Sequence, residues 1–132
     1  MMKGKVFWVL LLLSAPLLAA STPQLSRVML CRDVVQREPV GELKGAQLPA
    51  GLDEAVLFTE IKNAAGHIVH HRWYRDGQLK ADVALPVGAN RWRTWSDKKL
   101  QPGHWLVKVV LDDGTVLYQR QLTLAPVASH GT

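Results

Sequence analysis

HWLVKVVL, from His104 to Leu111, is the stretch on which the reading of the fold turns. In an extended chain successive side chains point to opposite faces, so Trp105, Val107, Val109 and Leu111 share one apolar face, the pattern of a half-buried β-strand. Downstream, Asp112-Asp113-Gly114 supplies a hairpin turn and Thr115 to Leu124 a further extended run. Upstream, a loop from Asp97 to Gly103 separates this strand from Arg91 to Ser96, which alternates large and polar residues. Before that, Gly88-Ala89-Asn90 turns the chain after Gln78 to Val87, where Leu79, Ala81, Val83 and Leu85 are expected on one face. Asp76-Gly77 joins this run to His67–Arg75, and Asp-Gly suits a type I′ hairpin because both central positions need positive φ. Ala55 to Lys62 and Leu25 to Val35 complete the extended runs. Gln36 to Leu52 holds two Pro and three Gly with little periodicity and reads as a long connection. No segment sustains a 3.6-residue period. About seven short strands with turns every 8–12 residues predict an all-β, immunoglobulin-like β-sandwich, with a small β-barrel as the alternative.

The chain has 132 residues and a formal charge of +5. Lys3 and Lys5, the unbroken apolar run Val6 to Leu13, and the small residues ending at Ala20 form the tripartite layout of a signal peptide. Its apolar part is shorter than the ~20 residues of a spanning helix and is interrupted by Pro16. The expectation is export to the periplasm with cleavage near Ala20, leaving one domain over residues 21–132 with its core at about 25–124 and no stable membrane span. The part after Ala20 keeps fourteen Lys/Arg against eleven Asp/Glu, a charge of +3, and an apolar share of about 43%, ordinary for a globular domain. Cys31 is the one cysteine, so no intrachain disulfide forms. Its apolar N-terminal neighbours suit a buried thiol better than an activated one or an interchain pair.

Four groups of residues carry a family resemblance: Cys31-Arg32-Asp33 leading to Arg37-Glu38-Pro39; Leu57-Phe58-Thr59-Glu60; His71-Arg72-Trp73-Tyr74; and Arg91-Trp92-Arg93-Thr94-Trp95-Ser96 followed by Gly103-His104-Trp105-Leu106-Val107 and Asp113-Gly114. In that order, over roughly residues 27–124, the chain resembles the bacterial domain-of-unknown-function family 2914. The resemblance implies an exported β-rich domain of the envelope and supplies no activity and no catalytic residues.

His67, His70 and His71 invite a metal or catalytic reading. Strand geometry opposes it, since His70 and His71 point to opposite faces and His67 lies about 13 Å from His71 along an extended chain. Ser96 has no Gly-x-Ser-x-Gly frame, and no phosphate-cradling glycine loop is present, so neither an enzyme nor a cofactor is expected. Charge is more informative. Between His67 and Lys99 seven Lys/Arg face three Asp, a surplus of +4, whereas the rest of the chain after Ala20 sums to −1. These cations are interleaved with Trp73, Tyr74, Trp92 and Trp95; Trp73 is expected in the core with Trp105. On a strand, Arg91, Arg93 and Trp95 share a face. Guanidinium groups bind carboxylate and phosphate bidentately, and aromatic faces stack on sugars or cations. The expected site is a basic-aromatic face of Arg72, Tyr74, Arg91, Arg93 and Trp95, with solvated arginines that cost little stability when changed. The expected partner is an anionic glycan or an acidic envelope protein. Nucleic acid is excluded by the export route. The competing function is a small periplasmic enzyme or metal-binding protein using His67, His70 and His71.

Overall fold

The computed structural model describes residues 21–128; the expected leader, residues 1–20, lies outside them. Eight strands follow in order: β1 (Gln24–Val35), β2 (Glu38–Glu42), β3 (Glu54–Lys62), β4 (Ile68–Arg75), β5 (Gln78–Pro86), β6 (Arg91–Lys99), β7 (Gly103–Leu111) and β8 (Val116–Leu124). They pair antiparallel into two four-stranded sheets, ordered β2-β1-β3-β6 and β5-β4-β7-β8. Neither sheet closes on itself, so the architecture is the sandwich and not the barrel. No described helix is long and apolar enough to cross a membrane.

The inner faces meet where the alternation says they should. Trp105, Val107, Val109 and Leu111 of β7 are all buried, as are Val69 and Trp73 of β4. They pack with Leu57 and Ile61 of β3 and Leu30 of β1 in one cluster. This burial is the main stabilising term, at roughly 1.5–3 kcal/mol for each large apolar side chain.

Three expectations are corrected. The supposed long connection contains β2, paired to β1 through a turn whose central residues, Gln36 and Arg37, have φ of 51° and 64°. A type I′ turn without Gly, Asn or Asp leaves little local signal. The rest of that connection covers the open edge of β8: Leu48 N–H donates to Thr123 O and Thr123 N–H donates to Ala46 O. Strand β6 runs on to Lys99, because Glu54, Ala55 and Val56 of β3 pair with its last three residues. Leu79 leaves the face of Ala81, Val83 and Leu85. Trp73 is paired with Ala81 but Tyr74 with Leu79, so Lys80 is the extra residue of a β-bulge that turns Leu79 to the outer side, where it is 51% exposed.

His71 lies inside the sandwich. Its Nε2 is 3.1 Å from Thr59 Oγ1 and its Nδ1 2.7 Å from Ser96 Oγ. Thr59 Oγ1 spends its hydrogen on Thr94 O. The ring nitrogen facing it must therefore carry the proton, and Nδ1 accepts from Ser96. Burial pushes the pKa of His71 down to about 3, so the ring is neutral in the folded protein.

The unfolded chain protonates this histidine near pH 6.5 while the folded chain resists, so stability is complete above that pH and declines as pH falls toward 3. Denaturant midpoints measured between pH 6.5 and 5 should fall by the equivalent of roughly 1 kcal/mol per pH unit. In His71→Gln, whose amide can meet both hydroxyls without titrating, that slope should flatten. An unchanged slope would place the titrating group elsewhere.

Candidate functional site

On the outer face of the first sheet, strand register sets side chains in rows. Arg27, Glu60 and Arg93 form one row, and Met29, Phe58 and Trp95 the next. Cys31 and Val56 lie beyond and join Phe58 in a second apolar cluster, packed by Met29 and Val34. Phe58 is fully buried although it points away from the main core. Trp95 stacks beside it at 6.2 Å and 17°, and Arg27 Cζ lies 5.1 Å from its ring centroid.

Glu60 is only 1% exposed. Arg93 Nε donates to its Oε1 at 3.1 Å, Arg91 Nη2 lies 3.6 Å from Oε2, and Arg27 Nη1 lies 4.0 Å from Oε1. A bulge in β1 at Ser26 delivers a hydroxyl that donates to Oε2 at 2.9 Å. Burial alone would push this carboxyl up. The Ser26 and Arg93 hydrogen bonds and the charges of Arg91 and Arg27 outweigh it and hold it below the usual carboxylate range. The β1–β2 hairpin closes over the same network. Glu38 meets Arg27 at 2.9 Å and Arg93 at 2.8 Å, and Arg93 Nη1 also donates to Arg37 O. Arg93 is thus bound into the fold, against the expectation of a solvated side chain. Arg91, whose side chain is 67% exposed, and Trp95, at 37%, keep free surface.

Arg72 and Tyr74 lie on the other sheet. His71 and Trp73 of β4 point inward, so Arg72 and Tyr74 point out on the opposite side of the sandwich from Arg91, Arg93 and Trp95. The five expected residues do not make one face. Arg72 Nε and His70 Nδ1 both hold Asp82, at 3.2 and 2.7 Å, and Lys108 Nζ sits 5.5 Å from the centre of the Tyr74 ring.

The three neighbouring histidines go to three places. His67 pairs with Asp112 at 2.9 Å, His70 with Asp82, and His71 with two hydroxyls in the interior. Among the described residues no group of three His, Cys, Asp or Glu side chains is placed to hold a metal ion.

The remaining cations converge elsewhere. A cleft of about 300 Å³ opens at one end of the sandwich, lined by Arg75, Lys80, Lys98, Lys99, Gln101 and Trp105. It lies where the β4–β5 hairpin of one sheet meets the end of β6 from the other. Of its four cations only Arg75 lies within 4.0 Å of a described carboxylate, its Nε 3.9 Å from Asp76 Oδ2, and Glu54 stands opposite Lys99 in the β3–β6 register. Lys80, Lys98 and Lys99 form no ion pair with a described residue; Lys80 donates to Gln78 and Lys98 to Lys99 O. The +4 surplus marks this region, but no residue of the cleft was in the expected site. The signal that could have found it is the Lys98-Lys99 pair closing β6. A second depression of about 360 Å³ between β7 and β8, around His104 and Thr123, has no Lys, Arg, Asp or Glu in its lining.

Two four-stranded sheets of this topology packed face to face on a shared apolar core define an immunoglobulin-like sandwich, and solved structures agree. An immunoglobulin-like protein from Pseudomonas aeruginosa, known from a crystal structure, matches at 12% identity with a TM-score of 0.58, covering 80% of this chain and 98% of that one. Residues 67–123, from the start of β4 almost to the end of β8, match the model of a family described as a protein of unknown function, DUF2914. This is the family that the sequence resembles. The match takes in the HRWY and RWRTWS motifs, while those between Cys31 and Glu60 precede it. No curated protein matches the chain.

The two arginines of the expected site should separate in urea denaturation at neutral pH. Arg93→Ala leaves Glu60 and Glu38 short of partners and should cost about 1–3 kcal/mol. Arg91→Ala removes an exposed, longer pair and should cost less than about 1 kcal/mol. Equal costs would mean that Glu60 does not draw its stability from Arg93.

Proposed function

We propose that this chain is an exported, non-enzymatic binding module of the bacterial envelope whose partner is anionic, an acidic glycan or an acidic protein surface. One observation carries the reading: Arg27, Arg72, Arg91 and Arg93 each lie within 4.0 Å of Glu38, Glu60 or Asp82, whereas of the four cations gathered at one cleft, Arg75, Lys80, Lys98 and Lys99, only Arg75 comes as near to a described carboxylate. A surplus the fold does not use internally is available to steer and hold a negatively charged partner. The fold by itself assigns no activity. Support for a non-enzymatic role comes from the polar groups. The His71–Ser96 pair is sealed in the core, with no carboxylate on the ring, and the His70–Asp82 pair stands on an open sheet face. Neither offers a nucleophile and base around a space that a substrate could enter. Export rests on the basic, apolar and small-residue sequence of residues 1–20.

Expressed from its full-length coding sequence in a Gram-negative host, the protein should appear in the periplasmic fraction about twenty residues shorter. The purified product should be retained on immobilised polyglutamate at low salt and released as salt rises, with no retention on neutral dextran. Full-length protein in the membrane fraction would overturn the export reading, and passage through polyglutamate at low salt would overturn the anionic partner.

A further inference from the structure

The cleft at the end of the sandwich has a more specific chemistry. Resting on the anionic-partner reading, we propose that Arg75, Lys80, Lys98 and Lys99 form a binding site for a phosphate group bearing two or more negative charges, carried by a small phosphorylated molecule or by a lipid headgroup.

Three of its four cations stand where regular strand alternation would not put a charge, while Lys99 continues the outward series of Arg91, Arg93 and Trp95. Arg75 continues the inward-facing series of His71 and Trp73 on β4, and Lys98 the series of Thr94 and Ser96 on β6. Lys80 is the extra residue of the β5 bulge, a device that re-aims a side chain out of strand alternation. The guanidinium is held in place: Arg75 Nε donates to Pro102 O at 2.9 Å, which leaves both Nη groups uncommitted among the described residues. Gly103, with φ of 149°, makes room for it, since a Cβ there would come within 3.0 Å of Arg75 Nε. Trp105 forms the floor, buried and fixed by its Nε1–H donating to Gln101 O at 2.8 Å. A buried indole cannot stack on a sugar ring, so recognition rests on charge and hydrogen bonds.

The donor set suits a phosphate. The Arg75 guanidinium can meet two oxygens of one phosphate at once, and the lysine ammonium groups act as point donors to the others. Three of the four cations are lysines without an ion pair to a described residue, a concentration of positive charge that favours an anion of more than one charge. At about 300 Å³ the cleft is at the small end of ligand sites, large enough for a phosphate group and its adjoining atoms.

Protein purified from the full-length coding sequence is titrated calorimetrically with pyrophosphate and, at matched charge, with citrate, as wild type and as the Lys98→Gln/Lys99→Gln double variant. Pyrophosphate should bind the wild type, at least about tenfold tighter than citrate. The double variant should lose about tenfold or more in affinity with an unchanged urea midpoint, since both lysines lack ion pairs. Lys44→Gln, remote from the cleft, should bind as wild type. Co-sedimentation with vesicles of phosphatidic acid in phosphatidylcholine, displaced by pyrophosphate, assigns a headgroup source; pyrophosphate binding without co-sedimentation assigns a soluble one. Equal affinity of wild type and double variant, or citrate binding as tightly as pyrophosphate, overturns the site, and retention on polyglutamate would then leave the broader anionic reading standing. The site is also overturned if the lysines serve only to keep the edge strands β5 and β6 from pairing with other chains. In that case the double variant aggregates but keeps its pyrophosphate affinity.

Discussion

A carboxylate taken almost wholly out of water has to be met by positive charge, and Glu60 sets that condition at the middle of the first sheet. Its partners come from every strand around it: Arg27 and Ser26 from β1, Arg91 and Arg93 from β6, with Glu38 of β2 bridging two of the arginines from above. The Arg27 guanidinium in turn lies over Phe58, with Trp95 stacked beside it and Met29 packed on the same cluster, which is why an aromatic ring on an outer face is as dry as one in the core. Side chains that look in sequence like a surplus of surface charge are thus consumed by the architecture. Of the seven cations between His67 and Lys99, the four not held this way, Arg75, Lys80, Lys98 and Lys99, line the cleft at the end of the sandwich.

The fold was legible wherever local chemistry and global packing agree. Trp105 to Leu111 alternates because each inward position meets the other sheet, and Asp76-Gly77 announces its hairpin because the turn needs the φ values those residues tolerate (49° and 82°). β2 was hidden for the opposite reason. Its five residues include Pro39 and Gly41, and its turn is made by Gln36 and Arg37, held in the left-handed region by contacts far along the chain. The single residue added at Lys80 could not be seen from one strand alone, since a bulge exists only relative to a partner's register.

The site was less legible than the fold, and for a related reason. Alternation correctly put Arg91, Arg93 and Trp95 on one face of β6. It could not say that Glu60, 33 residues before Arg93, would sit between the arginines, nor that β4 belongs to the other sheet and carries Arg72 and Tyr74 to the far side. The histidines teach the same lesson in reverse. Proximity in sequence suggested a cluster, and strand geometry distributed the three rings among an edge, a face and the interior.

The outer apolar cluster gives the molecule a second, smaller interior. Cys31, Val56 and Phe58 are separated from the main core by the sheet itself and roofed by Val34 and the hairpin that follows it. Burial pushes the Cys31 thiol up, and its Sγ is held 3.3 Å from Asp33 O at the root of that hairpin. Lifting β2 away breaks its pairing with β1, two arginine–glutamate contacts and the Arg93–Arg37 O hydrogen bond but leaves the sandwich closed, so it requires less free energy than unfolding the whole domain. The lone thiol is therefore a natural timer: its alkylation rate counts openings of the hairpin, one protein fluctuation read out separately from all the rest.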